Sequence, residues 1–318
     1  EDGTIHIPDA NEKSSLKHAR AAFKNPGTLA GGPWSFAGPE KQYNIRFNPG
    51  DSIVQISWQA NVYCIDQSMS NPNVLYAGCE NGGIYKSIDK GLTWQYKSLQ
   101  EDMTSVTAIA VHPTDENDVI ACSDYVTYRS LDGGTTWNVI NDLNNQIVWQ
   151  FQHNPDNPLI VFAATSNGLE RSQDGGNTWA NVVPGGCMSL EHKPGSSDVV
   201  YALIHDAVTN IAYVHKSIDS GLTFTIKPNG WFTIPPADSG LIESLGGRIA
   251  VTEADPNRVY VLLVGESQST ASLTLNGQIG IYRSDDSGEN WTHPHNLIGA
   301  PYNAATHPNM MTFSGDNS

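Results

Sequence analysis

Asp89, Asp132, Asp174, Asp219 and Asp286 are the most regularly placed reactive side chains in this 318-residue sequence. Each is the third residue of a recurring phrase: SIDKGLTW at 87–94, SLDGGTTW at 130–137, SQDGGNTW at 172–179, SIDSGLTF at 217–224 and SDDSGENW at 284–291. The shared pattern is S-x-D-x-G-x-[T/N]-[W/F]. A carboxylate in this setting does turn chemistry. The short Asp side chain accepts hydrogen bonds from nearby backbone amides, and the Gly two residues on supplies a φ > 0 position. The closing aromatic brings a large apolar surface to bury. Recurrence at separations of 43, 42, 45 and 67 residues marks these acids as structural parts of a repeat, not as catalysts.

Other constellations are sparse. The four cysteines, Cys64, Cys79, Cys122 and Cys187, have no C-x-x-C spacing and no histidine cluster beside them, so no zinc site is expected. Cys79 and Cys122 are 43 residues apart, at one position of successive repeats. Buried free thiols are the expected state, with a Cys64–Cys79 bridge the conceivable alternative. The ten histidines are scattered; His112 occupies a turn, and His293 and His295 make a weak metal cue. No Gly-x-Ser-x-Gly elbow and no phosphate-cradling loop occurs. No cofactor or metal is expected.

The elements around the phrase repeat as well. An apolar run such as Ile84-Tyr85-Lys86 or Val126-Thr127-Tyr128-Arg129 precedes it. Upstream lies a Pro turn and a second run, as in Asn71-Pro72 then Val74–Ala77, Asn154-Pro155 then Ile160–Ala163, and Asp255-Pro256 then Val259–Leu262. One more β-rich run, for example Val106–Val111, comes before the turn. Each unit therefore reads strand A, Pro turn, strand B, loop, strand C, Asp phrase, strand D. Four short strands in about 43 residues make one propeller blade.

The phrases resemble Asp-boxes, also called bacterial neuraminidase repeats. The unit is similar to the blades of sortilin- and xyloglucanase-type propellers and of large secreted bacterial propellers that carry a type IX secretion tail. The resemblance spans roughly 34–291, and implies an all-β, Asp-box β-propeller of four-stranded blades. Five blades are recognisable, at about 33–98, 99–141, 142–183, 184–227 and 228–295, after an N-terminal arm or short helix over 1–32. Residues 296–318 read as an insertion or the start of a further blade. Such propellers run to six to eight blades, so the expectation is a piece of a longer polypeptide.

Propeller ligands meet the loops joining B to C and D to A, opposite the Asp phrases. The binding-loop candidates are Asn81, Tyr125, Asn167 and Asp206, with Glu266 in a long blade-five loop read at 265–280. Trp231 and Phe232 join them from the long 228–247 connection. The stretch Glu80-Asn81-Gly82-Gly83-Ile84-Tyr85-Lys86 resembles a first-blade segment of the xyloglucanase family in which the acid is an Asp acting as base. That resemblance makes Glu80 a candidate base for an inverting two-carboxylate glycosidase, with Asp124, one blade on, as the nearest second acid. The solvated-loop reading of Glu80 is preferred. Sialidase chemistry needs an arginine triad and a Tyr–Glu nucleophile. Here Arg129, Arg171 and Arg283 share one slot before the phrases and belong to the repeat, and no Arg-Ile-Pro phrase occurs.

The balance of 17 basic against 33 acidic residues, formally −16, argues against nucleic acid or anionic membrane as partner. No 18-residue apolar run exists to span a membrane. The residue-level reading is a binding or interaction module with a glycan or protein ligand at the loop face. A β-glucan hydrolase and a spacer scaffold are the alternatives. On the family resemblance, the module is expected outside the cell or on its surface, trimmed from a precursor.

Overall fold

The computed structural model describes residues 43–45, 54–56, 61–80, 82–98, 103–233, 242–269 and 273–292, all within the unit Gln42–Ser318. The expected arm at 1–32 and the segment 296–318 lie outside them.

A short hairpin, β1 (Tyr43–Ile45) with β2 (Val54–Ile56), comes first. Five up-and-down sheets follow in chain order. The first holds β3 (Val62–Gln67), β4 (Leu75–Cys79), β5 (Gly83–Ser87) and β6 (Gln95–Tyr96). The second holds β7 (Val106–His112), β8 (Asp115–Ser123), β9 (Val126–Ser130) and β10 (Asn138–Ile140). The third holds β11 (Val148–His153), β12 (Val161–Thr165), β13 (Gly168–Ser172) and β14 (Ala180–Pro184). The fourth holds β15 (Cys187–Lys193), β16 (Ser196–Asp206), β17 (Ile211–Ser217) and β18 (Thr225–Ile226). The fifth holds β19 (Ile242–Val251), β20 (Val259–Ser269) and β21 (Leu273–Ser284), and an Arg283–Thr292 bridge stands where a fourth strand would lie. This is a β-propeller of four-stranded antiparallel blades.

The loop read at 265–280 is instead strand over 265–269 and 273–280. β20 and β21 stay in register from Val259–Ser284 out to Ser269–Leu273, so the blade-five B–C connection is a long hairpin arm. The Ser/Thr/Gln composition suggested a loop, but the alternation of Leu273, Leu275 and Gly277 with polar neighbours satisfies pleated pairing.

The seams between blades carry the core. Between the first and second sheets lie Val74, Tyr76, Ile84, Val106, Val119 and Trp137. Between the second and third, Ile120, Val148 and Phe151 pack with half-buried Trp179. The third seam closes on Phe162, Leu190, Val200 and Phe224, the fourth on Tyr201, Val261, Trp231 and Trp291. The phrase aromatic of each later blade thus packs against the blade before it. Phe224 keeps that role without an indole. The phrase glycine permits this close approach: a Cβ at Gly176 (φ 93°) would stand 2.5 Å from Ile120 Cδ1 of the preceding blade, and one at Gly221 would collide with Phe162.

Every inner strand carries a register shift near its start, at 62/64, 106/108, 148/150, 187/189 and 243/246. Repeated bulges sharpen the local twist. The four described cysteines are free thiols. Burial pushes the Cys64 and Cys187 thiols up to about 12.

Candidate functional site

Strand C runs between its two turns, so the B–C turns and the Asp phrases lie at opposite ends of each blade. In the second phrase, Asp132 Oδ1 accepts from Thr136 N–H at 2.8 Å, Thr135 N–H at 3.0 Å and the Ser130 hydroxyl at 2.9 Å. Its Oδ2 takes the Thr136 hydroxyl at 2.7 Å, while Ser130 Oγ accepts from Gly134 N–H at 2.8 Å. The same Ser–Asp–Gly circuit recurs at Asp89, Asp174, Asp219 and Asp286. The backbone and hydroxyl bonds from Thr136 hold the Asp132 carboxyl down at about 2. These carboxylates are occupied by their own turns.

At the other end of the blades, Glu80 leaves β4 and bridges Ser105. Its Oε2 accepts from Asn61 Nδ2 at 2.7 Å, and the Tyr63 hydroxyl with that amide holds the Glu80 carboxyl below its ordinary range. Asp124, in a left-handed conformation (φ 53°), donates its N–H to the Ser105 carbonyl at 2.9 Å and accepts the Thr104 hydroxyl at 2.6 Å. Thr104–Ser105 therefore links the turns that carry the two acids, while each carboxylate keeps a separate set of partners. Tyr125 beside them is 57% exposed.

The remaining candidates divide. Asn167 is exposed, with its carbonyl accepting from Gly185 N–H. Asp206 accepts from Val208 N–H at 2.8 Å, which holds its carboxyl low. Asn81 and the Glu266 side chain lie outside the described residues; the Glu266 backbone pairs with Asn276 and Glu243.

Trp231 and Phe232 are not surface groups: they are 5% and 4% exposed. The Trp231 ring lies 4.7 Å from Tyr282 and 5.0 Å from Trp291, and its N–H donates to the Ala212 carbonyl at 2.9 Å. Those contacts bury it in the fourth seam, which removes both residues from the ligand-facing set.

A concavity lies along the inner strands, with a volume of about 570 Å³. β3, β7 and β11 form it, with His192 of β15 at its margin. Its walls carry Tyr63, Trp149, Gln150 and Gln152, which sequence reasoning passed over because strand A read as plain core. The signal was available in Trp149-Gln150-Phe151-Gln152, where two amides interrupt an aromatic strand. Among the described residues, no group of three or more His, Cys, Asp or Glu side chains is arranged to hold a metal ion, and no helix is long and apolar enough to cross a membrane.

No protein-family model and no curated protein matches this sequence. Similarity is found among solved structures. An ancestral GH74 enzyme superposes with a TM-score of 0.57 at 19% identity, over 74% of this chain and 31% of its own. The GH74 enzyme of Niastella koreensis gives 0.51 at 16%, over 75% and 51%. YCF48 bound to D1 peptide gives 0.45 at 12%, over 83% and 90%. The chain thus spans about a third to a half of the two GH74 enzymes, and at these identities the likeness to them is one of fold: this chain is built as a β-propeller.

Proposed function

We propose that this chain is an Asp-box propeller that works as a secreted or cell-surface binding module, taking a glycan or protein ligand at the face formed by its B–C and D–A loops. The observation that carries the reading is that the two candidate acids are not arranged as a pair: Glu80 accepts from Asn61 and Asp124 from Thr104, with no partner in common. Asp206 likewise turns its carboxylate onto its own loop, accepting from Val208 N–H at 2.8 Å. Exposed Tyr125 beside Asp124 offers what a binding loop needs, an aromatic face next to hydrogen-bonding groups. The extracellular setting and the Asp-box assignment rest on the resemblance of the five phrases alone.

The test pairs binding with turnover. The protein is applied to an array of glycans and, separately, incubated with xyloglucan while reducing ends are counted. The reading expects a bound ligand whose affinity falls about tenfold in Tyr125→Ala, the scale of one good contact, and no new reducing ends. Release of reducing ends that Glu80→Gln abolishes would instead establish the inverting hydrolase.

A further inference from the structure

We infer that the outer edge of β21 is a self-pairing surface, on which a second copy of this chain adds its own β21 antiparallel across a two-fold axis at Asn276. The inference stands on backbone pairing and does not depend on what the loop face binds.

In the first four blades a fourth strand covers the third, and that outermost strand is short. β6 and β18 have two residues each, β10 has three, and β14 has five and ends on Pro184. Short strands and prolines blunt an edge that would otherwise pair with another chain. The fifth blade departs from this. β21 is twelve residues long and is the last strand of its sheet, and among the described residues only the Arg283–Thr292 bridge lies beyond it. From Thr270 to Tyr282 no charged residue and no proline occurs to deter a partner.

The bridge also tells which backbone groups face outward. Arg283 N–H donates to the Thr292 carbonyl at 2.9 Å and Thr292 N–H donates back at 2.7 Å, so both groups of Arg283 point away from β20. An antiparallel ladder alternates, so Ile281 faces outward as well. The register shift that skips Ile279 then moves the outward set to Gln278, Asn276 and Thr274, while Gly277, Leu275 and Leu273 turn their groups to β20. The chain does not carry its own cover up this edge. After Thr292 the next residue in phase to face β21 is Pro294, which has no N–H to give Ile281.

An edge laid antiparallel against itself meets each donor with the matching acceptor. With Asn276 opposite Asn276 of the second copy, Thr274 falls opposite Gln278 and Gln278 opposite Thr274, and each pair exchanges two N–H···O bonds. Beyond the bulge the run Leu273–Gln278 is regular, so the twist there does not break the register. Two copies at a formal −16 each repel one another, and an arm that carries its outer edge on an uncharged run is where that repulsion is least. The association is isologous and closes at two copies.

The experiment is sedimentation equilibrium of the whole chain over a range of concentrations. It should form a dimer, and added salt should tighten it by screening the two acidic bodies. Asn276→Pro removes an N–H that faces only the second copy, and should leave a monomer. Asn276→Asp and Asn276→Lys each set like charges opposite one another and should weaken the dimer about fivefold, and an equal mixture of the two should restore it as a heterodimer. Amide exchange at Thr274, Asn276 and Gln278 should slow as the dimer forms, with Leu275 and Gly277 unchanged. Should Asn276→Pro unfold the arm, the charge mixture decides alone. The proposal is overturned by a monomer at every concentration, or by a dimer that all three substitutions leave intact. It is overturned equally if the mixed charge variants associate no better than either alone.

Discussion

The indole N–H of Trp137, which closes the second blade's phrase, donates to the carbonyl of Lys97 in the first blade at 2.9 Å. Trp291 does the same to Lys227 of the fourth blade at 3.1 Å. Trp179 instead bonds within its own phrase, to Gly176. The phrase therefore does two things: it closes a C–D turn and clamps one blade to the one before. Removing the Trp137 side chain should cost about 3–5 kcal/mol, the range for a buried aromatic. Trp137→Phe keeps most of the burial but strands the Lys97 carbonyl, and should cost about 1–3 kcal/mol. Denaturant midpoints of the two variants check the ranking, and an equal loss in both would contradict it.

Lys90 occupies the left-handed position (φ 60°) that Gly133 and Gly175 fill in the next two phrases. Its side chain is exposed, and its N–H still donates to the Asn73 carbonyl at 3.0 Å. A non-glycine residue is strained there, so Lys90→Gly should stabilise the chain by about 1 kcal/mol. A lowered denaturation midpoint would show that the lysine side chain contributes more than its backbone strain costs.

Burial holds His153, His192 and His215 neutral, each with its pKa lowered to about 4. On unfolding they return to about 6.5, so between pH 6.5 and 4 the unfolded chain takes up more protons than the folded one. Stability is fully present above that window and falls as pH falls through it. Melting temperatures from pH 7 to 4.5 should decline steadily, and His215→Phe should make the decline shallower. An unchanged slope in that variant would mean His215 takes up its proton equally in the folded and the unfolded chain.

A second acid limb should follow at lower pH. Asp132, held at about 2 by Thr136, ordinarily titrates near 3.8, so its contribution is intact above 3.8 and lost as pH drops towards 2. Asp132→Asn should flatten this limb while leaving the histidine limb in place. The pH dependence of unfolding, followed by tryptophan fluorescence, separates the two.

Local chemistry made the blades legible: each phrase announces a turn, a glycine with positive φ and a buried aromatic within eight residues. What escaped the sequence reading depends on partners far along the chain. Trp231 and Phe232 sit in a Pro-rich connection that reads as exposed, and the core of the fourth seam buries them, with Trp231 stacked on Tyr282 and Trp291. Ser267 and Gln268 read as loop, yet they pair with Leu275 and Thr274 as strand. Gln150 is an ordinary polar residue until Leu190, 40 positions later, supplies the backbone it caps. The Ser105 link between the Glu80 and Asp124 turns is of the same kind, since no motif at either acid contains the residue that joins them.

The most direct test of the account is to measure binding and turnover together on one preparation, with Glu80→Gln and Tyr125→Ala alongside it. The account predicts saturable binding at the loop face that Tyr125→Ala weakens, with no product released by the unmodified protein. New reducing ends from xyloglucan, lost in Glu80→Gln, would contradict it and make the chain a hydrolase.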